Sequence, residues 1–148
     1  MMKWLINVFF TAAVCILSGC TTIRELPMEQ RKGEPQGADY DACRTLLKAF
    51  IRNDAKAFLN CLPEEMREKF PEKQFAASRK SVIDSMGEPI SFQYVTALEM
   101  TAFTPHIWKI RFERTDPRNG KKFTSEILFR IITGKLNGKP VVIGFQFL

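Results

Sequence analysis

Residues 106–131 read HIWKIRFERTDPRNGKKFTSEILFRI, and their alternation decides the fold. Trp108, Ile110 and Phe112 share one parity, while Lys109, Arg111 and Glu113 take the other. A period of two is that of a strand with one face buried and one in water. Asp116-Pro117-Arg118-Asn119-Gly120 then reads as a turn, because proline presets φ, asparagine and aspartate bond to nearby backbone, and glycine accepts positive φ. Beyond it Phe123, Ile127, Phe129 and Ile131 return to the inward parity, with Glu126 and Arg130 outward.

The same pattern extends both ways. Upstream, Ile90, Phe92, Tyr94, Leu98 and Met100 alternate with Ser91, Gln93 and Glu99. Downstream, Gly134 to Gly138 forms the next turn, and Ile143, Phe145 and Phe147 make the inward face of a last strand. Connections this short pair consecutive strands antiparallel, as a meander. A sheet with one apolar face needs a second layer to cover it.

The residues before it supply that layer. From Asp39, residues Cys43, Leu46, Leu47, Phe50 and Ile51 follow the spacing of one helix face, with Arg44, Lys48 and Arg52 opposite. Asn53-Asp54 breaks the pattern, and Asp54 is a good N-cap for a second helix carrying Ala55, Phe58, Leu59 and Leu62. Pro63 opens a short helix to Lys69, with Glu64 and Glu65 near its positive end. Pro71 and Glu72 open a longer helix that turns Phe75, Val82, Ile83 and Met86 inward and stops at Gly87, before Pro89. The expected fold is α+β, with N-terminal helices packed on a curved antiparallel four-stranded meander over residues 39–148.

The first twenty residues, MMKWLINVFFTAAVCILSGC, are an address rather than part of that fold. Lys3 and the start amine precede an apolar run from Trp4 to Leu17, too short for the roughly 20 residues that cross a bilayer. Leu17-Ser18-Gly19-Cys20 resembles the lipobox of bacterial lipoproteins. Residues 1–19 are then a signal peptide, and Cys20 carries diacylglycerol as a thioether. More than one acyl chain gives stable anchoring. Thr21 in place of an aspartate after Cys20 implies sorting to the outer membrane, facing the periplasm, in bacteria of the enteric type. The remainder up to Ala38 is polar, with two prolines and two glycines, and reads as a flexible tether.

Charge is uneven along the chain. The whole sequence carries a formal net +6. Residues 101–148 hold nine Lys/Arg against three Asp/Glu, whereas residues 21–100 are nearly balanced. Lys109, Arg111, Arg114, Arg118, Lys121, Lys122 and Arg130 gather around the second and third strands. Two readings stay open: a solvated face that keeps strand edges apart, or a surface for an envelope protein or an anionic surface. Export removes nucleic acid from the partners expected. Cys43 and Cys61 lie nine residues on either side of Arg52, so a helix hairpin there brings them level. A disulfide is the expectation in an oxidising compartment, contributing about 3 kcal/mol in the chain-entropy model. Two free thiols, or a bond to another protein, are the alternatives.

Three helices followed by a four-stranded meander, whose last strand enters through Asn137-Gly138-Lys139-Pro140-Val141-Val142-Ile143-Gly144-Phe145, resemble the nuclear transport factor 2-like superfamily, and within it small bacterial lipoproteins of unknown function. A cystatin-like sheet with another helix arrangement is the alternative. The sequence departs from many members in having no short hairpin between the second and third helices. The resemblance implies a cone between helices and concave sheet, filled by side chains in some members and open to ligand in others. Enzymes of this group place a base and an acid or oxyanion donor inside it. Tyr94, His106, Trp108 and Asp84 are the candidate pocket residues, with His106 pairing Asp84 or Tyr94. The aromatics of the inward face pack a core or line a pocket for a small apolar ligand, and Phe103 is the aromatic expected in solvent.

No metal-ligand spacing, phosphate loop or nucleophile elbow is present. No cofactor is implied. The expected function is that of a non-enzymatic, lipid-anchored interaction module, with ligand carriage or sensing, and an isomerase-like enzyme, as alternatives.

Overall fold

A computed structural model describes residues 34–148. The expected signal peptide, Cys20 as the expected lipidation site and most of the expected tether lie outside the described residues. Four helices, α1 (Ala38–Arg52), α2 (Ala55–Asn60), α3 (Glu64–Lys69) and α4 (Glu72–Met86), precede four strands. These are β1 (Glu88–Ala97), β2 (Thr104–Thr115), β3 (Lys122–Leu136) and β4 (Lys139–Phe147). The strands pair antiparallel in sequence order, so the sheet is the expected meander. Between α2 and α4 the chain forms α3.

Each helix boundary has a local cause. Asp39 and Asp41 stand in the first turn of α1, where the helix dipole favours acids. Asn53 ends α1 in the left-handed conformation at φ 57°. Asp54 caps α2, its Oδ1 accepting from the Ala57 N–H at 2.9 Å. Arg79 of α4 reaches back to the end of α1. Its Nε donates to the Phe50 carbonyl at 2.9 Å and its Nη2 to the Ile51 carbonyl at 3.2 Å. A cation thus adds a second donor to the Phe50 carbonyl, which also accepts from the Asn53 N–H at 3.3 Å, and supplies one to the Ile51 carbonyl in the last helical turn.

The core lies between α1, α2 and the inward sheet face. Cys43, Leu46 and Leu47 of α1 and Phe58 of α2 are buried against Trp108, Ile110, Phe112, Phe129, Ile131 and Val142. Aromatic rings carry much of the contact: Phe129 meets Phe147 at 4.7 Å and Phe58 meets Phe145 at 5.2 Å. The Val142 N–H donates to the Cys61 carbonyl at 3.0 Å, tying the end of α2 to the sheet.

Strict alternation misplaces several residues. Register shifts lie between Pro89 and Ser91 and between Tyr94 and Thr96, so Pro89 takes the buried place expected for Ile90, and both Ile90 and Val95 are exposed. A third shift, where β3 meets β4, puts Val142 rather than Ile143 inward. One extra residue in a strand flips the parity of every residue after it. Leu98 and Met100 lie beyond the end of β1, in the hairpin loop, and are exposed. Phe123 keeps its parity but is exposed near the first residue of β3. Phe103 is exposed, as expected.

Candidate functional site

The inward side chains of β2 form the floor of the site. His106 and Trp108 sit two residues apart on one face, about 7 Å between their Cα atoms, and both are buried. Tyr94 lies opposite Trp108 on β1, its ring 5.3 Å away and edge-on. Tyr40, from the first turn of α1, stacks on Trp108 at 5.2 Å and meets Tyr94 edge-on at 5.5 Å. Its hydroxyl donates to Glu34 at 2.5 Å. The start of α1 therefore roofs this end of the sheet.

Polar groups inside this aromatic box are incompletely satisfied. His106 Nε2 lies 3.0 Å from the Thr133 hydroxyl, which also stands 3.4 Å from the Thr104 carbonyl. A chain running His106 Nε2–H to Thr133 Oγ, and Thr133 O–H to the Thr104 carbonyl, satisfies all three groups and leaves His106 Nδ1 as a bare acceptor. His106 Nδ1 and Trp108 Nε1 are both buried with no hydrogen-bond partner. Such groups cost about 1–3 kcal/mol each when nothing satisfies them.

Burial governs the electrostatics of the box. It holds the His106 pKa below the ordinary histidine value, while the Asp39 carboxylate pulls the other way. Burial pushes the Cys43 thiol up to about 12, and the Trp108 indole beside it opposes part of that rise without forming a hydrogen bond of good geometry. Tyr94 is raised by burial and then by Cys43. Inside the box the imidazole is neutral and the thiol protonated at neutral pH.

Of the four candidate pocket residues, Tyr94, His106 and Trp108 share this box. Asp84 does not. It is exposed on α4, pairs with Lys80 four residues before it, and its carbonyl accepts from Arg114 near the far end of β2. The turn of α4 that bears Asp84 packs where β2 ends, whereas His106 is near where β2 begins, so the pairing is excluded by the direction of the strand. Asp39 is the carboxylate that acts on His106 instead. The sequence signal for it was present: Asp39 lies four residues before Cys43 and extends the inward stripe of α1 into its first turn.

The seven cations do not form one face. Lys109 and Arg111 project from the outer face of the sheet and share Glu126, at 2.9 and 2.7 Å. Lys122 pairs with Glu113 at 2.7 Å. Arg114 points to the helix side and binds the Asp84 carbonyl. Arg118 and Lys121 lie in the β2–β3 turn. Arg130 is half-buried on the outer face with its Nε unpartnered. Alternating charges across a strand pair cancel what the count of cations implied, and only the register reveals it.

Cys43 and Cys61 are free thiols. The structure shows no bridge between them: α2 stops at Asn60, and Cys61, past its end, turns its Sγ toward the Ala57 carbonyl at 3.4 Å. Among the described residues no group of three or more His, Cys, Asp or Glu is placed to hold a metal ion.

Neither a protein-family model nor a curated protein matches the sequence. Solved structures do match in shape. A ketosteroid isomerase-like protein from Erwinia carotovora atroseptica superposes with a TM-score of 0.50 at 13% identity, covering 74% of this chain and 88% of that one. A nuclear transport factor 2-like protein of unknown function from Shewanella oneidensis gives 0.49 at 13% identity, covering 73% and 93%. Another from Burkholderia pseudomallei gives 0.48 at 16% identity, covering 76% and 91%. The four helices and the open four-stranded antiparallel meander are the nuclear transport factor 2-like α+β fold.

Proposed function

We propose that this chain is a lipid-anchored bacterial envelope protein whose cone binds a small, mainly apolar molecule ending in a hydroxyl. The observation that carries the reading is the pair of buried, unpartnered nitrogens, His106 Nδ1 and Trp108 Nε1, on one face of β2. One presents a lone pair and the other an N–H, and a hydroxyl is the smallest group that donates to the first and accepts from the second. Tyr40, Tyr94 and Phe92 supply the apolar walls, each with its ring against Trp108.

Binding rather than turnover is the reading that fits. The hydrogen bond of His106 goes to a threonine hydroxyl, and Asp39, the carboxylate that acts on the ring, makes no hydrogen bond to its free Nδ1. A basic docking face is the weaker alternative, because Glu126 and Glu113 pair with three of its cations. The anchor rests on the sequence Leu17-Ser18-Gly19-Cys20.

Titration with decanol, followed through Trp108 fluorescence and compared with decane, tests the pocket. The hydroxyl is expected to favour decanol by roughly five- to tenfold, the worth of one good hydrogen bond, and His106→Leu to abolish the preference. Equal response to both probes, or none, contradicts the reading. The anchor is tested separately: Cys20→Ser is expected to release the exported protein from the membrane fraction.

A further inference from the structure

The end of the domain where the chain enters is unusually apolar. The β1–β2 loop, residues 98–103, carries Leu98 and Met100, each 54% exposed, and Phe103, 39% exposed. The β3–β4 turn lies at the same end of the meander and adds Leu136, 51% exposed, flanked by Lys135 and Lys139. Glu99 is the single acid in the loop. Four large apolar side chains at the tips of neighbouring hairpins form a patch that solvation alone does not explain.

The entry point of the chain says what covers it. Tyr40 stacks on Trp108 and bonds Glu34, and Asp39 acts on His106, which pairs with the last residue of β1. Residue 34 therefore stands at this end, and α1 runs from it toward the opposite one, where Arg79 joins the Phe50 and Ile51 carbonyls to Glu88, the first residue of β1. Cys20 lies fourteen residues earlier, a reach of at most roughly 50 Å. A lipid on Cys20 tethers the domain from the side of these hairpin tips, and not from the side of the β2–β3 turn.

We infer that the β1–β2 loop and the β3–β4 turn form a membrane-docking tip, in which Leu98, Met100, Phe103 and Leu136 enter the interfacial layer and Lys135 and Lys139 meet anionic headgroups. The inference rests on the lipid anchor of the proposed function. Shallow insertion of apolar side chains beside lysines is the ordinary physics of peripheral attachment. It also turns the roof of the aromatic box, at the start of α1, toward the lipid.

Phe103→Trp in the full exported chain, extracted in mild detergent and reconstituted into phosphatidylethanolamine/phosphatidylglycerol vesicles, gives the test. Brominated lipid is expected to quench the added tryptophan by about half or more, as a residue in the interfacial layer, and to leave Phe123→Trp, at the opposite end, unquenched. Lys135→Glu with Lys139→Glu is expected to weaken that quenching several-fold, and Leu98→Glu with Met100→Glu to remove it. The intact mass reads the anchor independently. An acylated chain without quenching overturns the docking tip and keeps the anchor. A chain without acyl groups that is still quenched overturns the anchor and keeps the tip, and a chain with neither overturns both. Emission already blue-shifted before vesicles are added, and insensitive to bromine, shows the patch covered by protein and also overturns the proposal.

Discussion

His106 Nε2 lies 3.0 Å from the Thr133 hydroxyl across β2 and β3, while Nδ1 of the same ring is buried without a partner. The threonine holds the ring in place and decides which nitrogen remains free. Removing the hydroxyl leaves a second ring nitrogen unsatisfied. Thr133→Val is expected to cost about 1–3 kcal/mol in a denaturant titration, and to abolish the preference for decanol over decane. Unchanged stability and unchanged preference would show that the ring is held by something else.

Burial lowers the His106 pKa, against the pull of Asp39, so the folded state favours the neutral ring. The unfolded chain takes up a proton at about 6.5. Below that pH it binds more protons than the native state, and the contribution of a neutral buried ring is lost as pH falls toward the folded pKa. Stability of the parent is expected to decline below about pH 6.5, and His106→Gln to decline less steeply over the same range. Parallel pH profiles from chemical denaturation would contradict this.

Gly87, between α4 and β1, has φ 97°, and a Cβ there would sit 2.4 Å from the Glu113 carbonyl oxygen. Gly120 also has positive φ, at 67°, but nothing lies within 4 Å of its Cβ position. Gly87→Ala is expected to destabilise by roughly 2–4 kcal/mol, combining dihedral strain and a backbone clash, and Gly120→Ala by about 1 kcal/mol. Equal losses would mean that the contact with Glu113 relaxes freely.

The general shape of this domain was legible because its signals are periodic. Trp108, Ile110 and Phe112 alternate strictly along β2, Asp54 and Gly87 punctuate the helices, and Asn137-Gly138 gives positive φ at both residues of its turn. The features that escaped are those that periodicity does not carry. Bulges at Ile90, Val95 and Ile143 shift parity by one residue, with no marker in composition. The pairing of Lys109 and Arg111 with Glu126 depends on the register between β2 and β3, which sequence alone does not display. Tyr94, His106 and Trp108 were placed together by parity alone, but Asp84 required the direction of α4 relative to β2, which only packing sets.

Arg79 is the chief side-chain link from α4 to the end of α1, with carbonyls of Phe50 and Ile51 and the Glu88 carboxylate as partners. Arg79→Met keeps the apolar stem and removes the donors. It is expected to cost about 1–3 kcal/mol, measured by thermal or denaturant unfolding, because the Ile51 carbonyl loses the Arg79 donor and the Phe50 carbonyl keeps only the Asn53 N–H. A neutral result would mean that water satisfies them equally well.

The two thiols give a chemical check on the interior. Burial raises both Cys43 and Cys61, the former to about 12. Neither is expected to react with iodoacetamide at pH 8 in the native protein, and both to react once it is unfolded, since it is the thiolate that attacks. Failure to label after unfolding without reductant would reveal a disulfide in place of the two free thiols.

Native mass spectrometry of the full exported chain, extracted gently, reads ligand binding in the cone without a chosen probe. A reproducible excess mass beyond chain and acyl groups is expected, released on denaturation and lost in His106→Leu. A mass equal to the acylated chain alone, unchanged when decanol is added, would mean that the cone holds no ligand.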